Sequence, residues 1–200
     1  MRIHIIAAAM LLTPVAMLAQ ATGQAQAGVT AAARANASAA SVPAGFSAAG
    51  RARLEATYAR ARAEHVPEAV IESRVAEGEA KHASERAVVA SAGRVETNME
   101  SARAAMVASG HDPDDAEVRA GAYAMERGMT RAQIATMTRR APRGRSLTVA
   151  FDAVTRLNEN GVQLTSALTQ VQAKLDAHAS DAAITSLVTH AKVGVKLGGG

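Results

Sequence analysis

The chain has 200 residues, 48% of them hydrophobic but only 2% aromatic, and a formal charge of +4. The length suits one domain with a real core, built from Ala, Val, Leu, Ile and Met rather than rings. With no Cys, disulfides, thiol catalysis, Cys-ligated zinc and a lipidated amino-terminal cysteine are excluded. The mild basic excess does not point to nucleic acid.

Residues 1–27 read as a secretory signal peptide. Arg2 gives the positive start, "IIAAAMLLTPVAML" the apolar stretch, and Ala25 and Ala27 the small residues before a cleavage point at Gly28. Thr13 and Pro14 interrupt the stretch, which disfavours its retention as a membrane span. Removing Arg2 lowers the charge to +3. The expectation is an exported protein, periplasmic or secreted, with no transmembrane span after signal removal. Residues 28–45 are a low-complexity Ala/Ser-rich segment, expected to act as a flexible tether. A helical domain follows over 46–195, and 196–200 is expected to be a disordered Gly tail.

A first helix is predicted from about Ser47 to Glu64, with Leu54, Tyr58 and Ala61 inward. Beyond it, one pattern recurs. "HVPEAVI" at His65, "HASERAV" at His82, "HDPDDAE" at His111, "GMTRAQI" at Gly128, "GVQLTSA" at Gly161 and "HASDAAI" at His178 each join a turn to a polar first helical turn. Ser84, Thr130 and Ser180 can accept from orphan amides, and Asp112 can cap with Pro113 behind it. Thr130 and Gln133 have capping-box spacing. Met129 with Ile134, and Val66 with Ile71, have staple spacing. His82 and His178 occupy the column where Gly128 and Gly161 stand. A left-handed residue often ends a helix there, and His tolerates that geometry better than most.

The cap column falls at Pro67, Ser84, Asp112, Thr130, Gln163 and Ser180, at paired spacings of 17, 18 and 17 residues. This reads as three degenerate helical hairpins, although any all-helical protein shows similar caps. Between the caps, apolar residues step by three and four at Val88, Ala92, Val95, Met99, Ala102 and Met106. The same spacing recurs at Leu147, Ala150, Val154 and Leu157, and again at Leu164, Leu168, Val171 and Leu175. No window alternates with period two. The predicted class is all-α, with seven or eight short helices in hairpins, as a small solenoid-like stack or a compact bundle. Stops are expected at Ser109-Gly110, Gly128, Pro142 with Gly144, and Asn160-Gly161.

Chemistry is sparse. His65, His82, His111, His178 and His190 contain no i,i+4 pair, so no metal site is predicted. "HDPDDAE" lacks the spacing of a calcium loop. Glu68, Glu72, Glu77 and Glu79 read as a solvated face, with Glu77 and Lys81 as an i,i+4 pair. Gly78 inside that helix points to close helix–helix approach. No nucleophile elbow, phosphate loop or dinucleotide fingerprint occurs, so no catalytic residue and no cofactor is assigned. "RRAPRGR" places Arg139, Arg140, Arg143 and Arg145 within seven residues, a solvated loop or an anion-facing patch for phosphate or carboxylate.

"HVPEAVIESRVAEGEAKHASERAVVAS", carried by Val66-Pro67, Val75, Glu77-Gly78, Ala80-Lys81 and the cap that follows, resembles uncharacterised exported α-helical proteins of GC-rich bacteria. The resemblance implies a helical fold and export, and brings no catalytic or binding residue. The expected function is a non-enzymatic interaction or structural protein of the bacterial envelope or secretome. Its partner would be a protein or an anionic envelope component, not nucleic acid. Exposed members of the seam Val88, Val95, Met99 and Met106 are the expected contacts, and a homo-oligomer through them is open to the chain. An envelope hydrolase gathering His65, Glu72 and Tyr123, or a periplasmic holdase with a broad apolar patch, are the rival readings.

Overall fold

A computed structural model describes residues 44–197, with side chains to Ala191. The expected signal peptide, most of the tether and the last three glycines lie outside the described residues. Eight helices occur among them: α1 (Ala48–Ala63), α2 (Glu68–Ala80), α3 (Glu85–Val107), α4 (Asp115–Glu126), α5 (Arg131–Arg140), α6 (Thr148–Glu159), α7 (Leu164–Asp176) and α8 (Asp181–Leu197). The fold is all-α. Two residues at the end of α8, Lys196 and Leu197, extend the helix into the stretch given above to the tail. No helix among the described residues is long and apolar enough to cross a membrane.

The helix ends explain the recurring letters. His65, His82, Gly110, Gly128, Gly161 and His178 all have positive φ, and the three histidines lie at 53°, 52° and 51°. After each, the next amide reaches back to a carbonyl five residues earlier. Val66 bonds Ala61, Ala83 bonds Gly78, His111 bonds Met106, Met129 bonds Ala124, Val162 bonds Leu157, and Ala179 bonds Lys174, at 2.9–3.1 Å. This is the Schellman closure, which satisfies the last carbonyls of the helix and needs a left-handed residue. Five times the following helix's cap position comes two residues after the left-handed one, at Pro67, Ser84, Thr130, Gln163 and Ser180. Thr130 and Gln133 form the predicted capping box.

One cap is corrected. Asp114, not Asp112, caps α4, because Asp114 and Glu117 stand three apart and close a capping box that Asp112 has no Glu to complete.

α3 is the spine, packing against α1, α2, α4 and α5; α6 is a second centre, packing against α4, α7 and α8. α5 packs on α3 and α7. The result is a compact bundle in which what recurs is the turn, while helix neighbours differ from unit to unit.

Two apolar cores share α3. The first gathers Leu54, Tyr58, Ile71, Val75, Val88, Val95 and Met99. The second gathers Met106, Ile134, Met137, Leu147, Phe151, Val154, Leu157, Leu168, Val171, Leu175 and Ile184. α4 serves both, giving Val118 and Ala122 to the first and Ala120 and Ala124 to the second. Glycine sets the spacing at two crossings. A Cβ on Gly78 would stand 2.6 Å from Val88 Cγ2, so α2 and α3 approach closely as the sequence predicts, and one on Gly121 would stand 2.7 Å from Met106 Cε.

Candidate functional site

The structure separates the expected site residues into two groups, those consumed by packing and those left facing water. Val88, Val95, Met99 and Met106 are at most 3% exposed. The seam is therefore corrected as a partner surface: α1, α2, α4 and α5 of the same chain already cover it. Periodicity identifies the apolar side of α3 but not what lies against it.

The histidines divide as well. His65, His82 and His178 hold left-handed turn positions. His190 bonds the Ser186 carbonyl at 2.7 Å. His111 Nε2 lies 2.8 Å from Glu117 Oε1. No group of three or more His, Asp or Glu among the described residues is arranged to hold a metal ion. His65 sits in the α1–α2 turn, and neither it nor Glu72 lines the grooves around Tyr123. The Tyr58 phenol is pushed up from its ordinary pKa by burial and then by the charges of Glu72, Glu68 and Glu79.

Glu117 is 3% exposed and fully used. Its Oε2 accepts the Asp114 amide at 3.0 Å, completing α4's own cap. Its Oε1 accepts the Leu147 amide, 30 residues away, at 2.7 Å. One carboxylate thus anchors the starts of α4 and α6, where both helix dipoles favour negative charge.

The outward face of α4 forms the candidate site. Ala116, Ala120 and Ala122 carry only methyl groups, so α4 leaves a trough between Val70 and Arg74 of α2 and Thr148 and Asp152 of α6. Its volume is about 310 Å³. Tyr123 stands at its edge, 38% exposed. The phenol donates to Glu159 Oε1 at 2.9 Å and accepts from Arg127 Nη2 at 2.7 Å. The Arg127 guanidinium lies 5.1 Å from the ring centroid and pairs with Glu159 at 2.8 Å. That phenol bond, reinforced by the charges around it, holds Arg127 above its ordinary pKa. Across the trough Arg74 pairs with Glu126 at 3.0 Å. Tyr123 is thus held by two residues, Arg127 and Glu159, with an apolar floor beside it and a charged rim.

The four loop arginines are not equivalent. Arg140 pairs with Asp176 at 2.6 Å. Arg145, only 16% exposed, bonds Asp181 and the Ala179 carbonyl, both at 2.5 Å. Arg139 reaches Thr136 Oγ1 at 3.1 Å, and Arg143 is exposed.

Sequence reasoning named Tyr123 only as a member of a catalytic cluster, and missed the trough itself. The signal available was the run Ala116, Ala120, Tyr123, Arg127, one helical face of small residues ending in an aromatic and a cation. In comparisons with known proteins, no family model, curated protein or solved structure matches the chain.

Proposed function

We propose that the chain is an exported, non-enzymatic interaction protein that presents the α2–α4–α6 trough to a partner protein. The observation that carries this reading is Tyr123, half-exposed yet held rigid by Arg127 and Glu159 beside an alanine floor. Tyr and Arg in a fixed geometry supply contact area at little entropic cost, the composition of interface hot spots. A partner side chain of Leu or Phe size fits a trough of about 310 Å³ whose lining includes Val70, Val95 and the alanines of α4. The pattern of residues 1–27 supports export. A holdase reading draws on broad exposed apolar area. The exposed large apolar side chains among the described residues are Val107 and Tyr123, on different helices.

The test is site-directed photocrosslinking in the producing cell's envelope fraction. A crosslinker at Tyr123 captures one reproducible protein, and Ala116→Arg, which fills the trough, abolishes the capture. Equal capture from a crosslinker at exposed Arg51, or none from Tyr123, ends the proposal.

A further inference from the structure

The trough leaves the α5–α6 loop unused. That loop forms one wall of a separate groove, of about 390 Å³, whose other wall is the α3–α4 turn at Ser109, Gly110 and His111. Thr138, Arg139, Pro142 and Arg143 complete it. The three grooves around Tyr123 are each lined by carboxylates: Glu126 and Asp152, Asp152 and Glu159, or Glu77 and Glu126. The lining of this one contains two guanidiniums, an imidazole and no acid.

The loop is built to hold that shape. Arg140 and Arg145 clamp it on both flanks through Asp176 and Asp181. Between the clamps, Arg145 N–H bonds Pro142 O at 3.1 Å and Gly144 takes φ +74°, a tight turn that puts Arg143 at its tip. Facing it, the Ser109 hydroxyl donates to Ala105 O at 2.8 Å and Ala135 O at 3.3 Å, tying the α3 end to α5. Glu117, the carboxylate behind His111, is buried and occupied by the Asp114 and Leu147 amides.

A plainer account assigns the arginines to the helix ends. α3 and α5 both finish at this groove, and each contributes about half a negative charge there. Arg139 and Arg140 lie in the last turn of α5 and answer that account. Arg143 does not, since it lies past the helix, on a turn, with no hydrogen bond or ion pair to its guanidinium among the described residues. Two whole positive charges also exceed the two half-charges they face.

We infer that the groove between Ser109–His111 and Arg139–Gly144 binds a phosphoryl group, gripped by Arg139 and Arg143. Planar guanidiniums match phosphate oxygens in paired hydrogen bonds, and the groove has room for the group and its first substituent. A soluble phosphate ester or an anionic lipid headgroup supplies the same chemistry.

The full chain is titrated at low salt with inorganic phosphate, and separately with phosphatidylcholine vesicles with and without phosphatidylglycerol. Arg139→Gln with Arg143→Gln should weaken binding by about tenfold or more, the loss of charge-assisted hydrogen bonds from both arginines. Arg51→Gln with Arg86→Gln removes the same charge from exposed sites on α1 and α3, and should leave binding nearly unchanged. Groove-dependent binding of free phosphate supports a soluble ligand, and groove-dependent binding confined to phosphatidylglycerol vesicles supports a headgroup. No binding of either probe, or equal losses in the two double variants, overturns the inference. Should the groove pair alter the circular dichroism spectrum, Arg143→Gln alone, on its exposed turn, is judged by the same comparison.

Discussion

The two cores that share α3 are held by different means. The second is a volume of apolar side chains around Phe151, with one carboxylate, Glu117, buried beside it and fully bonded. The first sets its two rings, Phe46 and Tyr58, toward the α1 side and adds close approach and ion pairing around α3. α2 lies against α3 across Gly78, Glu96 is 1% exposed with its carboxylate 3.3 Å from Arg60, and Ser47 ties α1 to Glu85 through hydroxyl and amide bonds of 2.6 and 2.8 Å. The difference shows how a chain with two Phe and no Trp makes a core. Its few rings are shared out, Phe46 and Tyr58 to the first core and Phe151 to the second, and glycine brings backbones together beside them, at Gly78 in the first and Gly121 in the second.

That contrast has consequences of graded size. Phe151→Ala should cost about 3–5 kcal/mol, the most of any substitution proposed here, because the emptied volume lies at the centre of the larger core; urea unfolding measures it. A loss under about 1 kcal/mol would show that the second core is not a packed volume.

Glu117→Ala should follow at about 3 kcal/mol, from orphaning the Leu147 and Asp114 amides and the His111 ring, with Glu117→Gln recovering part of it. Equal losses in the two variants would mean that the oxygens do not matter.

On the other side, Gly78→Ala should cost about 2 kcal/mol by overpacking against Val88. Its double variant with Val88→Ala should cost less than the two losses added. Additivity there would deny the close approach.

Smaller still, His82→Gly should stabilise by about 0.5 kcal/mol. It relieves a left-handed backbone costing about 1–2 kcal/mol but adds freedom to the unfolded chain. A loss of stability would show that the imidazole does more than occupy a turn.

Last, the two cores should separate at acid pH. The Ser47 hydroxyl and amide bonds, in that order, hold Glu85 below its ordinary carboxyl range. A group depressed in the folded state contributes stability above its unfolded pKa, about 4.3, and loses it as pH falls through the lowered folded value. Amide exchange in α1 should therefore accelerate below about pH 4 before exchange in α6 does. Simultaneous acceleration would contradict the separation.

Much of this architecture is legible in the sequence because an alanine-rich chain must mark its helix ends explicitly. Ser84, Thr130 and Ser180 announce starts, and His82, Gly128, Gly161 and His178 announce stops, since few residues tolerate those dihedrals. Gly78 is legible for the same reason: glycine inside a helix is costly without a use. The candidate site is much less legible. Nothing in "RRAPRGR" distinguishes Arg140 and Arg145 from their neighbours, because the carboxylates that engage them lie 36 residues on. The Val88–Met106 seam carries no mark of whether its own chain covers it. A trough made of alanines is defined by side chains that are missing, and patterns of hydrophobicity do not register a hollow.

Glu117 also bears on how the trough behaves. The floor belongs to α4 and one wall to α6, and a single buried carboxylate fastens the first turn of each. The two surfaces cannot drift apart without stranding that charge, so the proposed partner would meet a mould already cast. On that proposal, docking should be limited by diffusion and fit, with no slow rearrangement of the host to wait for.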